Sequence, residues 1–127
     1  MKLSVVITTY NAEEWLRKVL YGYSVQTDLD FELVIADDGS SVATKKVLKE
    51  FSSKFKYPII HVWQPDEGFQ KCKILNKAIL KTNSDYLIFT DGDCIPRKDF
   101  VEKHLKNKEK GYFLSGGYFK LPMFTSN

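Results

Sequence analysis

The sequence predicts an α/β domain in which a mostly parallel sheet lies between two helical layers. Three observations carry that expectation. Five short runs of strand character alternate with four stretches of helical periodicity, the order that strand–helix–strand crossovers of a parallel sheet require. The runs are largely apolar, as strands buried on both faces are. The polar residues gather where the runs end, at Thr8-Thr9-Tyr10-Asn11, Asp37-Asp38, Gln64-Pro65-Asp66-Glu67 and Asp91-Gly92-Asp93. Four such loops on one edge describe a cleft along the carboxyl ends of the strands, where open α/β sheets bind ligands.

The first strand is expected over Leu3 to Thr8. Trp15, Leu16, Val19, Leu20 and Tyr23 then fall at helical spacing, and Asn11 with Glu14 forms an Asn-x-x-Glu capping box at the start of that helix. Its aromatic stripe is expected to be buried on the sheet. Phe31 to Ala36 reads as the second strand, followed by a helix with Val47, Leu48, Phe51 and Phe55 on one face. Pro58 to Trp63 is the third strand, and the helix after it carries Cys72, Leu75, Ala78 and Ile79 as its core stripe. The fourth strand, Tyr86 to Thr90, leads to a shorter helix that begins near Pro96, a residue suited to a first helical turn, and buries Phe100, Val101 and Leu105. Tyr112 to Phe119 is the fifth strand.

With 127 residues, 43% of them hydrophobic and 14% aromatic, the chain has enough apolar surface for one domain with a real core. The net charge of +3 is mild, and basic groups such as Lys45, Lys46 and Lys49 fall on helices as solvated faces. No nucleic-acid partner is implied, and an anionic membrane surface or an acidic substrate is the minority reading of that charge. Cys72 and Cys94 lack a Cys-x-x-Cys spacing and read as free thiols of a reducing compartment. Met1-Lys2 runs straight into the first strand without a signal peptide, and no apolar run approaches the ~20 residues of a membrane span. The expected location is the cytoplasm, with the inner face of the cell membrane as its one membrane setting. His61 and His104 have no ligand-like neighbours and read as structural or surface residues.

Asp91-Gly92-Asp93 sets two carboxylates one residue apart at the end of a buried strand, with Gly92 allowing a tight turn. Mg²⁺ or Mn²⁺ takes oxygen ligands, from one or two carboxylates with substrate phosphates filling other positions, so the motif suggests a nucleoside diphosphate. Alone, acid-Gly-acid is more often an ordinary solvated turn. A second pair, Asp37-Asp38-Gly39-Ser40, ends another strand that leads into a helix. An N-cap accounts for one acid of that pair, not for two pairs on one crest.

Three other folds with acidic strand ends fit less well. A phospho-accepting receiver domain needs its acidic pair after the first strand and its acceptor Asp after the third, where this chain has Thr9-Tyr10-Asn11 and Gln64-Pro65. An EF-hand loop starting at Asp91 puts Pro96 where a Gly is required. A sugar-phosphate nucleotidyltransferase needs a Gly-rich loop after the first strand, and Thr8-Thr9-Tyr10 has no Gly. A non-catalytic nucleotide-sensing module shares the binding motifs and stays open at this point.

Val5-Val6-Ile7-Thr8-Thr9-Tyr10-Asn11, Leu33-Val34-Ile35-Ala36-Asp37-Asp38-Gly39-Ser40 and Asp91-Gly92-Asp93, in this order, resemble the nucleotide-binding half of the inverting glycosyltransferases of family 2. Those enzymes have the Rossmann-like GT-A fold, a three-layer α/β/α sandwich. The stretches Asp66-Glu67-Gly68-Phe69-Gln70 to Asn76-Lys77-Ala78 and Cys94-Ile95-Pro96-Arg97-Lys98-Asp99-Phe100 look most like bacterial enzymes that build lipopolysaccharide or capsular chains. The resemblance implies a UDP-sugar donor, a saccharide or lipid-linked saccharide acceptor, and Mn²⁺ or Mg²⁺. It implies that Thr8, Tyr10 and Asn11 line the uridine pocket and that Asp38 hydrogen-bonds the base. By the same resemblance Asp91 faces the ribose and the metal, Asp93 ligates the metal, both are catalytic, and Gln70, Lys73 and Gly92 contact the donor.

The chain departs from the family pattern twice. Many relatives place an Arg just before the residue matching Asn76, where this chain has Leu75, leaving Lys71 or Lys73 as replacements for a diphosphate contact. The family also supplies its general base from an acceptor-binding half that follows the metal motif. Residues 1–127 are therefore expected to be one donor-binding domain, shorter than a full transferase and inactive in transfer without that half.

Overall fold

The centre of the sheet is β1 (Leu3–Thr9), because its residues are apolar in both directions. Leu3, Val5 and Ile7 point to one face and Val6 to the other, all fully buried. The computed structural model describes residues 3–68 and 70–107; Phe69 and the strand expected over Tyr112 to Phe119 lie outside them. Beside β1 the described strands are β2 (Phe31–Asp37), β3 (Ile60–Trp63) and β4 (Leu87–Asp91), in the spatial order β3-β2-β1-β4 and all parallel.

Each sheet face is covered by helices. Leu3, Val5, Ile7, Leu33, Ile35 and Ile88 pack against α1 (Glu13–Ser24) and α2 (Val42–Phe51) through Leu16, Val19, Leu20, Tyr23, Val47, Leu48 and Phe51, with Val101 of α4 (Phe100–Asn107) completing the cluster. On the other face Val6, Val34 and Ala36 meet Ile74 and Ala78 of α3 (Lys71–Ile79). The result is the expected three-layer α/β/α sandwich. The chain moves outward from β1 to β2 to β3 and then returns to the other side of β1 for β4. The strand order thus reverses at β1, which opens a crevice at its carboxyl end, where such sheets take ligands.

Four local expectations are corrected. Asn11 does not cap α1: Ala12 holds the N-cap position with no side-chain cap, and Asn11 adopts φ 43° with its Oδ1 accepting from Ser41 N–H at 2.8 Å. Its own N–H donates to Ser40 Oγ at 2.8 Å, so Asn11 ties the β1 loop to the β2 loop. Trp15 is 49% exposed, with Lys18 Nζ 5.1 Å from its ring centre, because it sits where α1 overhangs the crevice and not the sheet. The buried stripe of α3 is Ile74 and Ala78, one turn apart; Cys72 and Ile79 are exposed, since a helix seated on a single sheet face buries a narrow stripe. Finally, α4 starts at Phe100 and not near Pro96. Pro96 instead lies against Gly22, where a Cβ would come within 2.9 Å of its Cδ. Gln26 then accepts from Val101 N–H at 3.0 Å and fixes the start of α4 against the end of α1.

At the amino end of the sheet Glu32 is 2% exposed, yet its carboxylate is well supplied. It accepts from Ser4 Oγ at 2.6 Å, Asn83 N–H at 2.6 Å and Asn83 Nδ2 at 3.0 Å. Buried charge is tolerated where hydrogen bonds replace water in this way. His61 is structural as expected: its Nε2 lies 2.8 Å from Asp37 Oδ2. Cys72 and Cys94 are free and exposed. No helix of the described residues is long and apolar enough to cross a membrane.

The narrow stripe of α3 has a measurable consequence. Ile74→Ala should cost about 3 kcal/mol in urea unfolding through cavity formation, whereas Ile79→Ala should stay within about 0.5 kcal/mol. A larger loss for Ile79→Ala than for Ile74→Ala would show that α3 is seated as the sequence pattern had it.

Candidate functional site

The carboxyl ends of β1, β2 and β4 open into one cleft of about 620 Å³. The register sets its floor: Thr8 pairs with Asp91 of β4, and Thr9 pairs with Asp37 of β2. Both acidic motifs therefore flank the end of β1, one on each side.

The two acids of the first pair separate. Asp37 is fully buried and structural, accepting from Ser40 N–H at 2.9 Å through Oδ1 and meeting His61 Nε2 through Oδ2. Asp38 turns to the cleft, accepting from Gln64 Nε2 at 2.7 Å and from Gln70 N–H at 2.8 Å. A carboxylate with both oxygens held is a rigid acceptor, with lone pairs left for a ligand. The turn after it needs glycine. Gly39 has φ 93°, and a Cβ there would lie 2.5 Å from Asp66 Cα. The close approach lets Asp66 accept from Tyr10 OH at 2.6 Å. That hydrogen bond, reinforced by the carboxylate's charge, raises the Tyr10 hydroxyl above the ordinary phenol pKa.

At the end of β4, Asp91 Oδ1 accepts from Thr8 Oγ1 at 2.8 Å and from Lys71 Nζ at 3.1 Å. Burial works to raise the Asp91 pKa, but the hydrogen bonds from Thr8 and Lys71 and the lysine charge outweigh it and hold the carboxyl below its ordinary value. Gly92 is required for a reason other than turn conformation. Its φ is not positive, and a Cβ there would meet Thr8 O at 2.7 Å, so the loop lies directly on the β1 backbone. Burial first, then the charges of Asp93 and Asp91, push the Cys94 thiol up in pKa.

Donor atoms of Asp91, Asp93 and Cys94 all lie within 4.8 Å of one another. The two carboxylates suit a hard cation such as Mg²⁺ or Mn²⁺, with further positions left for substrate oxygens and water. The donor set of this chain thus fits such an ion.

Of the residues expected at a donor site, Thr8, Tyr10, Asp38, Asp91, Gly92 and Asp93 line this one cleft. Asn11 spends its side chain on the β2 loop, and Gln70 contributes a backbone N–H to Asp38. Lys73 Nζ lies 4.0 Å from Glu67 and does not line the cleft, whereas Lys71 does. One participant was expected in the core, and another was named only as part of a strand-end loop. Trp15 lines the cleft but follows the helical core spacing, and Gln64 is a buried anchor of Asp38. The parallel pairing of Asp37 with Trp63 is the signal for Gln64, because it sets Gln64 beside Asp38.

A doubly wound sheet with an acidic crevice at its switch point defines a ligand-binding domain of Rossmann type. Residues 4–120 match the family model described as "Glycosyl transferase family 2", and the chain belongs to that family. It is 34% identical over 110 residues to the glycosyltransferase YfnE of Bacillus subtilis, covering 86% of this chain and 27% of YfnE. It is 32% identical over 105 residues to the chondroitin synthase of Escherichia coli, covering 82% of this chain and 15% of that enzyme. The chain thus spans well under half the length of these relatives. Among solved structures, S. aureus TarS in complex with UDP-GlcNAc superposes with a TM-score of 0.71 at 24% identity, over 84% of this chain and 30% of that one. The shared fold is the GT-A fold.

Gly92→Ala should destabilise the chain by about 1–3 kcal/mol, because the new methyl must push the loop of Asp91 to Asp93 off β1. Thermal unfolding checks this, and an unchanged midpoint would mean that the loop is not seated on the Thr8 carbonyl.

Proposed function

We propose that this domain binds the UDP-sugar donor of an inverting glycosyltransferase that elongates cell-envelope polysaccharide or lipopolysaccharide. The observation that carries the reading is the convergence of Asp38, Asp91 and Asp93 on one cleft across the end of β1. Family membership and the sugar-polymer enzymes among the relatives support it. So does the likeness to TarS, whose complexes hold UDP and UDP-GlcNAc.

In this reading Asp38 accepts from the uracil N3–H, a donor that cytosine lacks, and its two fixed hydrogen bonds remove the entropy of orienting it. Tyr10 and Trp15 supply apolar walls for the nucleoside. Thr8 orients Asp91 for the ribose and for the cation. When bound, Mn²⁺ or Mg²⁺ on Asp91 and Asp93 neutralises charge that develops on the departing diphosphate, which favours the transition state over the ground state. An acceptor hydroxyl attacks the anomeric carbon from the side opposite the diphosphate, with its proton taken by a base. The domain supplies donor binding, and the acceptor half of the whole enzyme supplies that base. A saccharide or lipid-linked saccharide is the acceptor class, and the two free thiols support a cytoplasmic setting at the inner membrane face.

Calorimetric titration with UDP, CDP, GDP and ADP, with Mn²⁺ and with chelator, tests this reading. Selective, Mn²⁺-dependent UDP binding is expected. Asp93→Ala should abolish the metal dependence, and Asp38→Ala should weaken UDP about tenfold while leaving that dependence in place. Binding of UDP by the Asp93 variant that still rises with Mn²⁺ as it does in the unmodified chain would sink the metal assignment.

A further inference from the structure

Lys71 opens α3 at the cleft, and among the described residues it is the one cationic side chain that lines it. Its Nζ lies 3.1 Å from Asp91 Oδ1, the same oxygen that accepts from Thr8. The pair is open to water, with side-chain exposures of 42% for Lys71 and 55% for Asp91. Ion pairs of that kind are weakly held and readily exchanged. The Lys ammonium is a point charge on a four-carbon stem, free to change partner without movement of the helix.

The charges in the cleft change on loading. Without ligand, Lys71 offsets one of the acids that share the site. With a divalent ion between Asp91 and Asp93, the ammonium is repelled from the oxygen it held. At the same moment the cleft gains a diphosphate whose charge, added to the two carboxylates, exceeds that of the ion. Lys73 is turned toward Glu67, and Leu75 packs against the second-face core with Val6 and Ile74, so neither neighbour on α3 meets that excess.

We infer that Lys71 is a switching counter-ion: it leaves Asp91 as the divalent ion is taken up, and it re-pairs with the donor diphosphate. The inference rests on the donor-site reading. In this role Lys71 competes with the metal in the empty cleft and cooperates with it in the loaded one. A purely structural ion pair does neither, and a permanent diphosphate ligand does only the second.

The two halves of the role have opposite signs in one variant. Mn²⁺ alone, followed by the electron paramagnetic resonance of the free ion, should bind Lys71→Met about fivefold more tightly than the unmodified chain, because the competing charge is gone. UDP, titrated at saturating Mn²⁺, should bind that variant about tenfold more weakly, and Lys71→Arg should restore it. Mn²⁺ binding that is unchanged or weaker in Lys71→Met overturns the switch, as does UDP binding that is unaffected. If the unmodified chain binds UDP with Mn²⁺ and the variant behaves identically, this inference alone falls. If the unmodified chain takes up neither Mn²⁺ nor UDP, the donor-site reading falls and the switch with it.

Discussion

The parallel pairing of β1 with β2 on one side and β4 on the other is the constraint on which the site depends. In a parallel ladder the register fixes which strand ends lie level. Thr8 opposite Asp91 and Thr9 opposite Asp37 bring two acidic motifs, far apart in sequence, to either side of one loop. The buried stripes of α1 and α3 then clamp β1 from both faces, so the crest cannot slide without exposing Val5, Val6 and Ile7. Close backbone approaches finish the job: Gly92 on the Thr8 carbonyl and Gly39 on Asp66 exclude any side chain larger than hydrogen. Rigidity of this kind matters because a ligand that finds its contacts preformed loses less free energy to ordering them.

The polar interactions divide by task. Asp37, Gln64 and Glu32 are buried and hydrogen-bonded, and they hold loops and strand ends in place. Asp38, which is itself buried, turns to the cleft, and the exposed Asp91 and Asp93 line it beside the end of β1. The arrangement separates the acids that hold loops and strand ends from those that line the cleft. It also concentrates negative charge, which a cation must answer. Lys71 offsets part of it through Asp91, and its exposure makes it the group most easily displaced.

Much of this was legible in the sequence, for a physical reason. Short apolar runs broken by polar ends report strands buried on both faces, and four of the expected runs are the four described strands. The acid-Gly-acid motif and Asp38 were legible as cleft residues because both acidic pairs end strands of one parallel sheet, which puts them on one crest. What failed was what depends on a neighbour in space. Asn11 has the spacing of a helix cap, yet the β2 loop lies close enough to claim its side chain. Trp15 follows the helical core period, but α1 overhangs the cleft at that turn. Ile74, not Cys72 or Ile79, anchors α3, because periodicity gives the stripe only to within a residue when the helix is short. The choice between Lys71 and Lys73 was open for the same reason: two residues apart on a helix, they point to different surroundings.

The most direct test of the account is where a bound cation sits. With UDP present, Mn²⁺ added to the ¹⁵N-labelled chain should broaden the amide signals of Thr8, Thr9, Lys71 and Asp91 to Cys94, while those of Glu32, Asn83 and Ser84 at the opposite end of the sheet stay sharp. Broadening centred on another acidic surface, with the end of β1 unaffected, would contradict the claim that the carboxyl ends of β1, β2 and β4 form one metal and nucleotide site.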